Sequence, residues 1–291
     1  MYKFSILNSA TASFFEKLTY PIFRSDLRLL DYDNSLIAIG VTFNSQPIGL
    51  TIAKIADVKN AEILSLFIVP EQRKQGLGKL LLIYLEEELI NYGCSMVSIT
   101  YISNKTRFVI EKILKQQNWS VPQPNMLICS ALIDDFKNVT WLKLSNNSSK
   151  YSIFYWIELT QQARESIQKK QNVSPWYPEI LSPFKEEKII EPLNSLGLRL
   201  QNTIVGWIIT HRINSETIRY SSLFVRKDLQ SSGRAIPLLA TAIKLQLEKS
   251  LARKAVFTVV TDNSAMIKFV DKRLSPYLAS IRQSWKSYKM L

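Results

Sequence analysis

Two cysteines, Cys94 and Cys129, and a single histidine, His211, are all that this 291-residue chain offers as soft metal ligands or disulfide partners. No C-x-x-C pair occurs, which argues against a disulfide framework and against a zinc site; no metal is expected. No apolar run approaches ~18 residues, so no membrane span is expected. The first residues, Met1-Tyr2-Lys3-Phe4-Ser5, lack the charged and apolar blocks of a signal peptide. Together these absences point to a soluble, cytoplasmic protein. What is present is a 46% hydrophobic chain, long enough for two domains of ordinary size, each with its own core. The net charge of +13 is unevenly spread. Residues 1–145 hold 15 Lys+Arg and 13 Asp+Glu, whereas residues 146–291 hold 22 and 11. A surplus of +11 in the second half is either solvated surface or a patch for a polyanionic partner. An acidic peptide or carrier domain suits it, and nucleic acid is the less favoured partner.

The chain is organised around residues 66–82, LFIVPEQRKQGLGKLLL. An apolar run ends at Pro70, a charged loop carries Gly76 and Gly78, and a leucine-rich segment then reads as a helix. Such a strand–loop–helix turn, free of side-chain bulk at the glycines, aims backbone N–H groups outward at a helix N-terminus. It is suited to a phosphate. The spacing fits neither G-x-x-x-x-G-K-[ST] nor G-x-G-x-x-G. Residues Arg73 to Gly78 fit [QR]-x-x-G-x-[GA] instead.

The same arrangement recurs at Leu223 to Ala235, where Gln230-Ser231-Ser232-Gly233-Arg234-Ala235 fills the pattern. Gly233 lies 157 residues after Gly76, and at that offset Ser65-Leu66-Phe67 matches Ser222-Leu223-Phe224, Gly49 matches Gly206, and Leu81-Leu82 matches Leu238-Leu239. The chain is therefore an internal duplication. The expected domains are 1–145 and 146–291, with Ser145-Asn146-Asn147-Ser148-Ser149 as the linker.

Periodicity supplies the elements. In the first copy, strands are expected at 2–7, 36–43, 48–55, 61–69, 96–102 and 126–132. Helices are expected at 10–20 with Phe14, Phe15 and Leu18 on its apolar face, from residue 80 with Leu81, Leu85 and Leu89 inward, and after a cap at Asn104 with Val109, Ile110, Ile113 and Leu114 inward. The second copy repeats the order: strands at 152–157, 196–200, 204–209, 220–225 and 256–260, helices at 160–170, 236–251 and from the cap Asn263 to Pro276. The class is α+β, two mostly antiparallel sheets flanked by helices.

The paired motifs resemble the acyl-coenzyme A pyrophosphate loop of the GNAT N-acyltransferase superfamily. The resemblance covers nearly the whole chain and implies two tandem GNAT-like domains that use acetyl-CoA, a longer acyl-CoA or an acyl-carrier thioester. It implies that Arg73, Lys74, Gln75, Gly76, Leu77, Gly78 and Lys79 hold the pyrophosphate, and that the backbone of Phe67, Ile68 and Val69 pairs with the pantetheine arm. Asn104 joins these cofactor contacts. The second copy would offer Phe224, Val225, Gln230, Ser231, Ser232, Gly233, Arg234 and Ala235. By the same resemblance, Glu62 is the candidate base for an attacking amine, whereas the matching residue of the second copy is Arg219, which cannot act as a base near neutral pH. The family's tyrosine acid, seven residues past the capping Asn, is missing: Glu111 and Val270 stand there. Tyr101 is the candidate substitute, and His211 reads as packing or surface.

Three readings follow from these residues. In the first, a tandem N-acyltransferase catalyses with its N-terminal copy. The second is a GNAT-like maturase or carrier-dependent enzyme moving a longer, fatty acyl group to a lysine or ornithine side chain of a peptide. The third is a non-catalytic acyl-CoA-binding module.

Overall fold

In the computed structural model, residues 1–57, 59–143, 150–230 and 233–291 are described. The expected linker, 145–149, lies outside them. The first copy runs β1 (Tyr2–Ile6), α1 (Ser9–Ala12), α2 (Arg24–Leu27), β2 (Leu36–Phe43), β3 (Gln46–Asp57), β4 (Asn60–Ile68), α3 (Leu77–Asn91), β5 (Met96–Ile102), α4 (Arg107–Gln116) and β6 (Gln123–Leu132). The second runs β7 (Tyr151–Tyr155), α5 (Gln161–Val173), β8 (Leu196–Leu200), β9 (Thr203–Asn214), β10 (Thr217–Val225), α6 (Lys227–Gln230), α7 (Ala235–Glu248), β11 (Lys254–Val260), α8 (Ser264–Phe269) and β12 (Ser280–Met290).

Two compact units result, but they do not follow the expected division at 145/146. One comprises Met1–Met126 together with Gln283–Leu291; the other is Leu127–Arg282. The strand expected to close the first copy, 126–132, therefore contributes most of β6 to the second unit, where Cys129, Ala131 and Ile133 enter the core beside Leu238 and Leu239. The first unit is completed instead by β12, a strand that the sequence pattern left unassigned, in antiparallel register with β5 from Ser284↔Ile102 to Met290↔Met96. Periodicity reports that a segment is extended, whereas backbone pairing is indifferent to which extended segment supplies it. Side chains select the partner: Ser287 Oγ donates to the Ser120 carbonyl at 2.7 Å, and Lys289 Nζ meets Glu86 Oε2 at 2.6 Å.

The first unit's strands run in the order β1-β2-β3-β4-β5-β12, the second's β6-β11-β10-β9-β8-β7. In the first, β4 and β5 are parallel and the other ladders antiparallel. Both faces of this sheet are covered. Ile37, Ile39, Val41, Ala61, Ile63, Val97 and Ile99 pack beneath α3 and α4. Ala38, Leu50 and Ile52 pack on the other face with Leu7, Phe15 and Leu27. Leu81, Leu85 and Leu89 are all 0% exposed, as their spacing demanded, and each contributes roughly 2 kcal/mol of burial. The expected helix 10–20 is instead α1 followed by a tight 3-10 turn over Ser13–Leu18. Phe15 is buried there and Phe14 exposed. Val109, expected inward on α4, is also exposed.

In the second unit α7 covers one face through Leu238, Leu239, Ala242 and Ile243. The other face is aromatic: Trp156, Tyr177, Trp207 and Phe224 are buried together, with Trp207 and Phe224 ring centroids 4.6 Å apart. Gly49 and Gly206, matched at the duplication offset, share a steric reason. A Cβ at Gly49 would lie 2.4 Å from Ile68 Cδ1, and one at Gly206 2.6 Å from the Phe224 carbonyl oxygen, so each motif strand lies flush on its neighbour only because of the glycine.

Candidate active site

The parallel ladder between β4 and β5 ends at Ile63↔Ile99, although β4 continues to Ile68 and β5 to Ile102. At the same point the β3–β4 register shifts, from Ala53↔Ile63 to Ile52↔Ser65, which leaves Leu64 as an extra residue. The bulge bends β4 out of its ladder and opens a slot lined by backbone groups that have no strand partner on the β5 side. The second unit repeats this 157 residues on. There β10 and β11 pair only as far as Tyr220↔Phe257, and the β9–β10 register skips Ser221.

The slot leads to the loop. Gly76 occupies the left-handed region at φ 79° and begins α3; Gly233 does the same at φ 69° before α7. A Cβ on either would meet nothing within 4 Å, so it is the backbone angle that calls for glycine. The first helical bond of α3 is Leu80 N–H to the Gly76 carbonyl at 3.1 Å, so the N–H groups of Leu77, Gly78 and Lys79 have no acceptor within the helix. Free N–H groups at the positive end of a 15-residue helix suit a pyrophosphate. Lys74 and Lys79 flank them, and neither makes an ion pair among the described residues.

Three expected phosphate contacts are placed differently. Arg73 turns back: its Nε donates to the Ile68 carbonyl at 2.9 Å, and its guanidinium lies 5.5 Å from the centre of the Phe67 ring. Gln230 does the same in the second unit, Nε2 to the Val225 carbonyl at 2.9 Å. The first motif position thus clamps the loop to the end of its own strand, in both copies. The Gln75 side-chain oxygen accepts from Tyr2 on β1, so that side chain is anchored rather than aimed outward. Of the pantetheine candidates, Phe67 and Ile68 lie past the end of the β4–β5 ladder, with the Ile68 carbonyl already accepting from Arg73. Val69 is already engaged, donating to Ile48 at 2.9 Å and accepting from Gln72 at 3.0 Å. In the second unit Phe224 and Val225 hold the matching strand end, Arg234 stacks on Tyr151 at 4.4 Å, and Ala235 opens α7. Ser231 and Ser232 lie outside the described residues. Asn104 does not cap α4, which starts at Arg107. Its Oδ1 accepts from Thr106 N–H at 2.8 Å and Thr106 Oγ1 at 2.7 Å and so shapes the turn before the helix.

Glu62 and Tyr101 are not brought together; they stand on opposite faces of the sheet, on either side of the slot. Glu62 is half-buried, in the row before the ladder ends, and its Oε1 accepts from Thr100 Oγ1 at 3.3 Å. Tyr101 lies on the face of Val97 and Ile99, and its hydroxyl donates to Glu111 Oε1 at 3.1 Å. Burial first, then the hydrogen bond to Glu111, raises the Tyr101 phenol well above its ordinary value, so it stays protonated at neutral pH. The place where the tyrosine acid was expected thus holds the carboxylate that Tyr101 addresses, a link hidden from sequence because it joins a strand to a helix.

At the second slot, Arg219 is ion-paired with Glu186 and donates to Ser221 Oγ at 2.9 Å. His211 is buried: Nδ1 lies 2.6 Å from Ser221 Oγ and Nε2 2.9 Å from the Lys185 carbonyl, and burial lowers its pKa. Val270 is wholly buried. No carboxylate occupies the base position of this unit.

The profile of the Acetyltransferase (GNAT) family matches residues 4–107, the span that carries the first slot and loop. Solved structures resemble the chain over its full length. A tandem GNAT protein from the clavulanic acid biosynthesis pathway, solved without AcCoA, is 13% identical at a TM-score of 0.66, with 98% of each chain covered. A GCN5-related N-acetyltransferase from Sphaerobacter thermophilus is 13% identical at 0.68, covering 99% of this chain and 95% of that one. A GCN5-related glucosamine N-acetyltransferase region of a fungal multi-domain GH3 beta-N-acetylglucosaminidase is 11% identical at 0.69, covering 99% of this chain and 38% of that one. No curated protein sequence matches significantly. Among the described residues no helix is long and apolar enough to cross a membrane. Residues 4–107 thus match the Acetyltransferase (GNAT) family profile, and the fold of the whole chain is similar to that of a tandem GNAT protein.

Proposed function

We propose that the first unit catalyses acyl transfer from an acyl-CoA thioester to an amine, and that the second unit has a structural or acceptor-shaping role. The observation that carries this reading is the placement of a carboxylate and a phenol on the two faces of one slot, present in the first unit and absent from the second. The loop N–H groups of Leu77, Gly78 and Lys79 hold the pyrophosphate with Lys74 and Lys79, and the open edge of β4 at Phe67 and Ile68 holds the pantetheine arm. The acceptor approaches from the Glu62 face. Glu62 takes a proton from the ammonium form, so that the nitrogen lone pair attacks the thioester carbonyl; a C–N bond forms and the C–S bond breaks. Tyr101 stands on the opposite face as the candidate acid for the departing sulfur, and the surplus proton of the acylated nitrogen passes to water.

Glu62→Gln should lower turnover by ~10²-fold or more while acetyl-CoA affinity, measured by calorimetry, stays the same. If Gly233→Asp silences the enzyme and Glu62→Gln does not, the catalytic unit is the second one.

The charge asymmetry favours a second reading of the acceptor, as an acidic peptide or carrier that meets the basic second half and receives an acetyl or longer acyl group. Exposed charges are screened beyond ~8 Å at physiological ionic strength, so the acceptor KM should then climb steeply with salt. It should climb less when Lys169, Lys170, Arg253 and Lys254 are neutralised in pairs. A flat salt response with an active acceptor would leave a small amine as the substrate.

A further inference from the structure

In the second unit the residues that match Lys54, Glu62 and Leu64, 157 positions on, are His211, Arg219 and Ser221. A hydroxyl with an imidazole against it thus stands where the first unit has its carboxylate. His211 on β9 is the cross-strand partner of Arg219 on β10, so their side chains share one face. Ser221 is the bulge residue that the β9–β10 register skips, and the first residue beyond the β10–β11 ladder. The hydrogen bonds fix where each proton lies. The Lys185 carbonyl can only accept, so His211 Nε2, 2.9 Å away, carries the ring proton and Nδ1 is bare. Nδ1 lies 2.6 Å from Ser221 Oγ and therefore accepts the serine proton. Arg219 Nε donates to the same Oγ at 2.9 Å, which occupies one oxygen lone pair and leaves the other free. Arg219 is itself paired with Glu186, so no lone cation opposes a proton on the imidazole. Glu186 stands at φ 52°, a backbone cost for a residue with a side chain, in the turn that presents the Lys185 carbonyl to the ring. His211 is buried whereas Ser221 is half-buried, which shields the base and leaves the hydroxyl within reach.

We propose that Ser221, with His211 as its base, is a nucleophile that takes the acyl group of a thioester as a serine ester, and that water then releases it as the carboxylic acid. As the Oγ–H proton passes to His211 Nδ1, the free Oγ lone pair attacks the thioester carbonyl; the C–O bond forms, the C–S bond breaks, and the departing thiolate takes the proton back from Nδ1. Water then gives a proton to Nδ1 and its oxygen attacks the ester, so that the bond to Oγ breaks and Oγ recovers its proton. Arg219 stabilises the negative charge that grows on Oγ in the first step and returns there in the second. Burial lowers the imidazole pKa, so the ring is unprotonated at neutral pH, a modest base and, once protonated, a ready acid. That balance selects the substrate class: a thiolate, whose parent thiol has a pKa of ~8.5, departs with little help, whereas an alkoxide or an amide nitrogen does not. Neither Glu62 nor an amine enters these steps, so this activity stands apart from amine acylation in the first unit.

The experiment uses the full chain without any amine acceptor. A fluorophosphonate, whose serine adduct water does not remove, should label Ser221, located by peptide mass spectrometry, and the labelling rate should fall ~10²-fold in His211→Asn. Release of free thiol from acetyl-CoA should fall ~10-fold or more in Ser221→Ala, and Ser221→Cys should keep the acylation step because a thiol also gives its proton to the imidazole. Ser221→Ala removes one hydroxyl from a half-buried position, so it still decides the matter if His211→Asn fails to fold. p-Nitrophenyl acetate, run in parallel, separates the donor class from the nucleophile. No phosphonate adduct on Ser221, or thiol release as fast in Ser221→Ala as in the native chain, overturns the proposal. Turnover of p-nitrophenyl acetate through Ser221 with no release of thiol overturns the thioester as substrate. None of these outcomes touches the assignment of amine acylation to the first unit, which Glu62→Gln tests with an amine present.

Discussion

At the scale of single residues, the loop depends on backbone geometry more than on side-chain chemistry. Gly76 meets no atom that a Cβ would displace, yet it sits at φ 79°. Gly76→Ala should therefore cost about 1 kcal/mol in stability, the ordinary penalty for a side chain in the left-handed region, with the fold retained. Gly76→Asp carries the same backbone cost and also puts a negative charge in front of Leu77, Gly78 and Lys79. It should abolish acetyl-CoA binding by calorimetry while the urea midpoint moves little more than in Gly76→Ala. Retained binding in Gly76→Asp would remove the pyrophosphate from this loop. The two thiols illustrate the opposite case. Burial raises both, Cys129 to about 11, so neither is a nucleophile near neutral pH and both act as small apolar side chains.

At the scale of elements, the motif is a strand, a clamp and a helix. Arg73 and Gln230 differ in charge and length, yet each donates to the carbonyl of the last strand residue, Ile68 or Val225, at 2.9 Å. The [QR] alternative at this motif position is thus a requirement for a donor of the right reach rather than for a cation. Arg73→Gln should leave acetyl-CoA affinity within about twofold, because the second unit shows glutamine making the same bond. Arg73→Ala should weaken affinity ~10-fold, since losing one hydrogen bond of about 1 kcal/mol frees the loop and adds ordering cost on binding. If Arg73→Gln is as weak as Arg73→Ala, the guanidinium charge matters and Arg73 contacts the phosphate after all. The same comparison explains why this motif was legible as a loop but its side-chain roles were not: spacing reveals which residues are present, and the direction in which Arg73 folds is set by an acceptor at the end of β4.

At the scale of the whole molecule, the end of the chain belongs to the unit that begins it. Glu86, buried on α3, accepts from Trp119 Nε1 at 2.8 Å and from Lys289 Nζ at 2.6 Å. Lys289→Met would strip a buried carboxylate of its counter-ion. The expected loss is on the order of 2–3 kcal/mol, less than for a fully buried pair because Lys289 is 23% exposed, and a urea denaturation series would measure it. A stability unchanged within ~0.5 kcal/mol would make the pair a surface contact. The sequence by itself determined the duplication, the two motif loops, the leucine face of α3, and the asymmetry that leaves Glu62 in one copy and Arg219 in the other. All of these are local patterns or repeats, and local patterns survive in one dimension. Tertiary structure alone decided that residues 283–291 complete the first unit and that Glu62 and Tyr101 face opposite sides of one slot. Those pairings join residues far apart in the chain through β-ladder register and helix-to-strand contact, and neither composition nor periodicity encodes which strand is a given strand's neighbour.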